Sequence, residues 1–223
     1  MKKRGFTLAE VLITLGIIGV VAAMTIPTLI TDYQKQDNVV KLKKAISVIN
    51  NGVKLMMADE GVYSFSGLGF NSCPNVGTIG TTEEDRACIN DYFSKYFKIV
   101  SYGKSSDDGL YPYNEIKVLN GDTKALVGAL NLASYYHFTT QDGIMFWPSC
   151  FNWPAAVDVN GANPPNRVGY DIWVLNVDDN GYFSPYGIDT WDDESNTNDY
   201  CGDGGNGYGC TARVMREDWK INY

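Results

Sequence analysis

Residues 5–30 of this 223-residue chain read GFTLAEVLITLGIIGVVAAMTIPTLI, and this apolar stretch decides how the chain begins to fold. Residues 11–30 hold no charged side chain, and Glu10 is the only charge in residues 6–30. Twenty helical residues rise about 30 Å, which is the hydrocarbon thickness of a bilayer. The basic residues at positions 2–4 predict that the N-terminus stays in the cytoplasm and that the rest is exported.

This segment differs from an ordinary secretory signal peptide. Its apolar run is longer than the roughly 7–15 residues of a signal peptide's core, and its distinctive residues precede the run. Burying the Glu10 carboxylate in the membrane costs on the order of 3 kcal/mol, so a charge kept there indicates a function. The alternative is a plain membrane anchor in which Glu10 extends to the interface.

Residues 2–13, KKRGFTLAEVLI, resemble the cleavage and methylation motif of type IV prepilins and type II secretion pseudopilins. That pattern is a short basic leader, Gly, Phe, three residues, then Glu and an apolar helix, and every position matches. Pro27 lies where many members carry a helix-kinking proline. The resemblance implies that prepilin peptidase cuts between Gly5 and Phe6 and methylates the new amino group of Phe6. It also implies that Glu10 serves assembly, by pairing with a neighbouring subunit's N-terminus.

The helix is predicted to continue beyond the membrane. Apolar residues recur at intervals of three and four up to Glu60, and Gly61 then ends the helix. This stripe consists of Val39, Leu42, Ile46, Ile49, Val53 and Met56. The polar residues expected to lie off it are Lys41, Lys43, Lys44 and Asn50. A soluble coiled coil is the alternative, whereas the resemblance to pilins favours packing on a sheet.

The remainder reads as a mixed α+β head. A short helix is predicted to begin near Thr82, whose side chain can cap it ahead of three acidic residues. Strand-like segments follow at residues 115–119, 135–140, 144–146, 171–177 and 182–184. Turn signals at 141–143 and 178–181 predict hairpins. The expected fold is therefore α+β and pilin-like: a long helix packed on an antiparallel sheet of four or five strands, with long irregular C-terminal loops.

These observations divide the chain into three predicted segments: a leader at 1–5, a transmembrane and assembly helix at 6–30, and an exported head at 31–223. With 26 acidic against 18 basic residues, the body repels phosphate backbones, so nucleic-acid binding is not expected. The single histidine, His137, excludes a multi-histidine metal centre. The sequence also lacks a nucleophile elbow, a phosphate loop and a dinucleotide motif, and it predicts no enzyme.

Five cysteines suit an exported domain with one or two disulfides. The closest spacings favour the pairs Cys73–Cys88 and Cys201–Cys210. Cys150 is then left over, although spacing alone leaves open that it pairs with either group.

Residues 168–212 carry nine acidic side chains and no Lys or Arg. The simplest interpretation is a solvated surface loop. The other is a calcium site, because clustered carboxylates and loop carbonyls suit Ca²⁺. The favoured ligands are Asp158, Asn160 and Asp171. Their loop resembles one seen in many pseudopilin-like proteins, near where major pseudopilins bind calcium. The alternative ligands are Asp192, Asp193 and Asp199.

The resemblance implies that the chain is a structural subunit of a type IV pilus or a type II secretion pseudopilus. It also implies that the chain is anchored in the inner membrane by a single transmembrane span. Its partners would be other pilin or pseudopilin subunits, prepilin peptidase and an inner-membrane assembly platform. The long loops at 63–80 and 190–209 favour a minor subunit, because packing many copies favours compact heads. The alternative is a pilin-anchored adhesin or binding head displayed at the cell surface.

Overall fold

The computed structural model describes residues 7–73, 82–104, 116–122, 136–148 and 155–223. The chain forms two compact units, Met1–Asp37 and Asn38–Tyr223. Helix α1 (Leu8–Glu60) begins in the first unit and ends in the second. The long helix predicted to end at Glu60 is thereby confirmed.

In the first unit, α1 is continuous through Pro27. Its threonine hydroxyls donate to helix carbonyls three or four residues back, at distances of 2.9–3.0 Å. The threonines concerned are Thr14, Thr25 and Thr31. Because these three hydroxyls are satisfied within the helix, they add no unpaired polar group to its apolar surface, which suits a hydrocarbon environment.

Helix α1 ends in a Schellman motif. Gly61 adopts a φ of +65°, a conformation that costs glycine little. Its N–H donates to the Ala58 carbonyl at 3.3 Å, and the Val62 N–H donates to the Met57 carbonyl at 3.0 Å. These two bonds satisfy carbonyls that the helix end would leave open.

The second half of α1 buries most of the predicted stripe against the head. Asn50, which was expected to lie off this stripe, is instead buried, and that expectation was wrong. Its amide nitrogen donates to the Phe183 carbonyl at 3.0 Å, and its amide oxygen accepts from the Phe183 N–H at 2.7 Å. The Asn50 side chain thus pairs both the N–H and the carbonyl of Phe183, which have no neighbouring strand on that side of the described sheet. The same two hydrogen bonds offset the cost of burying the Asn50 amide.

Two short α-helices follow α1 in the described head, and 3₁₀ turns at Phe65–Gly67 and Gly69–Ser72 precede the first of them. Helix α2 (Glu83–Phe93) begins with a capping box, in which the Asp85 N–H donates to Thr82 Oγ1 at 3.2 Å. The cap by the Thr82 side chain is as predicted, and the Thr82 N–H in turn donates to the Asp85 carboxylate at 3.1 Å. Helix α3 (Cys210–Arg216) was not predicted.

The sheet has six strands rather than four or five, and each strand is antiparallel to the next in chain order. The strands are β1 (Ile99–Lys104), β2 (Tyr136–Thr140), β3 (Met145–Trp147), β4 (Ala155–Asp158), β5 (Ile172–Val177) and β6 (Phe183–Pro185). Strands β1 and β4 were missed. Of the predicted strand at 115–119, the described residues form only an isolated bridge from Lys117 to Arg167.

Both faces of the sheet centre are apolar. On one face, the rings of Phe93 and Phe97 pack at a tilt against the ring of Phe138, with ring centroids 5.3–5.4 Å apart, beneath the buried side of α1. On the other, Trp147 and Val174 pack with residues from the flanking loops. Strands covered on both faces lose the alternation of apolar and polar residues by which strands are recognised in sequence. This burial explains why β4 escaped prediction.

Candidate assembly segment and polar loop

The N-terminal part of α1 presents an uncovered apolar surface. None of the residues in its most apolar 18-residue window is buried within the chain, and Leu8 and Met24 are each more than 70% exposed. Among the described residues, α1 is the one helix long and apolar enough to cross a membrane. Water does not favour so large an apolar surface, so lipid or other helices must cover it.

Small residues interrupt this surface on one side of the helix. A Cβ added at Gly16 or Gly19 would have no atom within 4 Å in the chain. The two glycines lie three residues apart, and Ala22 follows after another three, so the three positions share a helix face. Small residues in this arrangement allow the backbone of a second helix to approach closely.

Glu10 caps the start of α1. Its carboxylate accepts from the Thr7 N–H and the Thr7 hydroxyl, each at 2.8 Å, while the Glu10 N–H donates to Thr7 Oγ1 at 3.2 Å. This reciprocal pair is a capping box, which the sequence Thr-x-x-Glu signals and which the sequence analysis missed. The cleavage and methylation positions, Gly5 and Phe6, lie outside the described residues.

The structure contains the disulfides Cys73–Cys88 and Cys201–Cys210, with Cα atoms 5.9 Å and 4.9 Å apart. In the chain-entropy model each bridge stabilises the head by roughly 2–3 kcal/mol. Cys150 lies outside the described residues.

The Cys201–Cys210 loop is held to the C-terminal segment by one arginine. Arg213 donates to the Cys201 carbonyl and forms an ion pair with Glu217 at 2.8 Å. Its guanidinium lies 5.7 Å from the ring centre of Trp191 and 4.8 Å from that of Tyr223. A planar cation between two aromatic rings gives this irregular region a packed centre.

The loop between β4 and β5 brings the three favoured calcium ligands together. Asp158 ends β4 and Asp171 precedes β5, and both side chains are buried. The Asn160 N–H donates to Asp158 Oδ1 at 3.1 Å, and the Asn160 amide donates to Asp171 Oδ2 at 3.2 Å. The Asp171 carboxylate also accepts the backbone N–H groups of Asn166 at 2.8 Å and Arg167 at 2.6 Å.

Two opposing effects act on the Asp171 carboxyl. Burial raises its pKa above the usual value, while the hydrogen bonds from Arg167, Asn166 and Asn160 lower it, and burial dominates. Because the pKa of Asp171 is raised in the folded chain, ionisation of this carboxyl lowers the free energy of unfolding. Protonation removes that loss, so the head gains stability as the pH falls through the raised pKa. A cation bound nearby would offset the same cost.

Two side-chain amide oxygens in this loop have no hydrogen-bond partner among the described residues. Asn166 is 2% exposed, and its amide oxygen accepts no hydrogen bond; the buried amide oxygen of Asn160 accepts none either. Such buried oxygens are costly unless something satisfies them. Amide and carboxylate oxygens are the ligands that Ca²⁺ prefers, so the residues present fit that ion.

The later acidic stretch has a different organisation. The Asp199 carboxylate accepts from Thr190 at 2.7 Å and from Asn196 at 2.9 Å, and Asp193 accepts from Ser195 at 2.6 Å. Among the described residues, no group of three or more His, Cys, Asp or Glu side chains is placed to hold a metal. The alternative ligand set of Asp192, Asp193 and Asp199 was therefore wrong.

Comparison with known protein families matches the N-terminus of the chain. Residues 1–26 match the family model described as the prokaryotic N-terminal methylation motif, which is the signature of prepilin cleavage. The chain matches no curated protein and no solved structure.

Proposed function

We propose, from the N-terminal methylation motif of residues 1–26, that the chain is a structural subunit of a type IV pilus or a type II secretion pseudopilus. The observation that carries the proposal is the helix that begins within this motif. Its N-terminal part has an uncovered apolar surface, and its second half is part of a folded head. A fibre subunit needs a polymerising helix and a displayed domain. The motif points to a structural protein rather than an enzyme.

In this function, prepilin peptidase removes residues 1–5 and methylates the amino group of Phe6. An inner-membrane assembly platform then draws the subunit out of the membrane, where α1 had crossed the bilayer once. Within the bundle of helices, Glu10 pairs with the cationic N-terminus of a neighbouring subunit, because a carboxylate buried there needs an opposite charge. The head lies in the periplasm or at the cell surface.

The subunit is proposed to be minor, because its head carries long irregular loops. In sheared fibres we expect peptides of this head at a small fraction of the major subunit's abundance. They should vanish from that fraction when prepilin peptidase is deleted, while the chain remains in the inner membrane. An unrelated inner-membrane protein serves as the contamination control.

Recovery of the chain in the membrane fraction alone, from cells that carry intact fibres, would contradict the proposal. If deletion of the chain left the fibres unchanged but abolished binding of the cells to surfaces, the alternative function of a pilin-anchored adhesin would be favoured.

We further propose that the β4–β5 loop binds calcium. Asp158, Asp171 and the amide oxygens of Asn160 and Asn166 are the groups that would hold it. Calcium would place positive charge beside two buried carboxylates and would be bound by amide oxygens that accept no hydrogen bond from the described residues.

Calcium is expected to raise the thermal unfolding midpoint of the head. A free calcium concentration of about thirty times the dissociation constant raises the free energy of unfolding by about 2 kcal/mol. For a chain of this size, that gain raises the unfolding midpoint by roughly 4–8 °C. All five tryptophans follow residue 146, so tryptophan fluorescence of the full chain in detergent reports on the head. Asp158→Asn should abolish the shift, and Asp193→Asn should retain it. Magnesium should do much less. Equal midpoints in calcium and in chelator would refute the site.

A further inference from the structure

Asp171 belongs to a tight turn whose backbone decides where its carboxylate lies. In residues 167–172 three consecutive N–H groups donate to the Arg167 carbonyl at 3.1–3.2 Å, and the Gly169 N–H donates to the Ile172 carbonyl at 2.9 Å. The Arg167 N–H in turn donates to the Asp171 carboxylate at 2.6 Å. A change in this backbone would therefore move a proposed calcium ligand. We call residues 167–172 the Asp171 turn.

The Asp171 turn rests on the Cys201–Cys210 disulfide at Gly169. This glycine has a φ of +84°, and a Cβ added there would lie 2.9 Å from Cys210 Sγ and 3.3 Å from the Leu119 side chain. Only a residue without a side chain fits both the conformation and the space. The turn is thus supported from one side by the disulfide loop.

Tyr223 contacts the same turn from a distant part of the chain. Its hydroxyl donates to the Gly169 carbonyl at 2.7 Å, and the Tyr170 hydroxyl donates to the backbone oxygen of Tyr223 at 3.3 Å. The two tyrosine rings meet edge to face, with centroids 5.9 Å apart. Two reciprocal hydrogen bonds and a ring contact therefore fasten Tyr223 to the turn, within two residues of Asp171.

Asn38 of α1 is the second distant residue that holds the Asp171 turn. Its amide nitrogen donates to the Tyr170 carbonyl at 3.0 Å, in a partly buried contact. Asn38 is the first residue of the second compact unit, so this bond ties the turn to α1 at the start of the head. We call Asn38 and Tyr223 the loop anchors.

We propose that the loop anchors are positioning residues for calcium in the β4–β5 loop, and that calcium in turn tightens both anchors. This inference rests on the proposed calcium binding. The anchors supply no ligand; they fix the backbone that carries Asp171. Residues that orient metal ligands in this way typically account for 10–100-fold in metal affinity. Because coupling between two binding events is reciprocal, calcium strengthens the anchor contacts by the same factor.

Calcium affinity of the full chain in detergent, measured by equilibrium dialysis with radioactive calcium, tests the anchors. Tyr223→Phe removes only the hydroxyl that bonds to Gly169, and it should weaken calcium binding roughly tenfold. Tyr182→Phe is the matched control, because Tyr182 is half exposed and lies outside the β4–β5 loop. Asn38→Ala should weaken binding to a similar extent. Its matched control is Asn51→Ala, which changes an exposed asparagine of the same helix.

Hydrogen exchange measures the reverse effect, of calcium on the anchors. Saturating calcium should slow exchange in residues 217–223 of the unaltered chain roughly tenfold, since the coupling is reciprocal and these amides exchange when the segment opens locally. In Tyr223→Phe most of this slowing should be lost. Helix α2, elsewhere in the head, is the internal control for a general gain in stability.

The outcomes separate the anchors from the calcium site itself. If the unaltered chain binds no calcium, the site and the anchors are both overturned. If it binds calcium and both anchor variants bind it equally well, the anchors are overturned and the site stands. A lower unfolding midpoint without calcium, at unchanged calcium affinity, would assign the two residues to stability alone and overturn the proposal. If one variant does not fold, the other decides, because the two substitutions lie in different elements.

Discussion

Protein extracted from the cell envelope is expected to begin at Phe6 and to carry one added methyl group. The methylation motif of residues 1–26 and the match of Gly5-Phe6 to the cleavage position are the grounds for this prediction. Intact-mass measurement distinguishes the product from the full chain, and sequencing of the first peptide locates the methyl group. A chain cut after Ala22 or Ala23, as by an ordinary signal peptidase, would contradict the fibre function.

Replacing Gly5 by Val should leave the leader attached and remove the chain from fibres almost completely. The uncut leader keeps three basic residues in the sequence that precedes α1. Each would have to enter an apolar bundle at a cost of about 2.5–3.5 kcal/mol, so the subunit stays in the membrane. Lys3→Arg is the matched control, because it changes a residue of the same leader while keeping its charge and the Gly5-Phe6 cleavage position. Normal fibre incorporation of the uncut variant would show that processing is not required.

The long helix was predictable because its signals are local. A charge-free run, a stripe at intervals of three and four, and a glycine after Glu60 are all visible in sequence, and α1 ends where they indicate. The start of α2 was predictable for the same reason, since Thr82 and Asp85 satisfy each other's backbone groups across three residues. The turns at 141–143 and 178–181 likewise join neighbouring strands of the sheet.

What the sequence did not predict depends on contacts between distant residues. Asn50 reads as a surface residue of α1 until Phe183, far along the chain, presents its backbone to the amide. Strand β4 has no alternating pattern because both faces of the sheet are covered there. The amide oxygen of Asn166 became a candidate calcium ligand only when the fold buried it with no hydrogen-bond partner among the described residues. Sequence spacing carries none of this information.

Replacing Glu10 by Ala is expected to remove the chain from fibres while leaving it in the membrane. Loss of a buried charge partner costs about 3–5 kcal/mol, because the neighbour's ammonium is then buried alone. That cost corresponds to a fall in fibre incorporation of roughly a hundredfold or more. Membrane insertion should be unchanged or improved, since a charge that costs about 3 kcal/mol to insert is gone. Immunoblots of sheared fibres and of the inner membrane measure the two quantities.

The capping box makes a second role for Glu10 separable from the first. In the single chain the Glu10 carboxylate caps α1 through Thr7, so Glu10→Ala loses both a cap and a charge. Glu10→Gln keeps an oxygen for the capping box and removes only the charge. Thr7→Val does the reverse, and loses about 1 kcal/mol of helix stability. If charge pairing drives assembly, the Gln variant should fail as the Ala variant does, while Thr7→Val should assemble within a few-fold of the unaltered chain. Normal assembly of Glu10→Gln together with failure of Thr7→Val would assign Glu10 to helix capping alone.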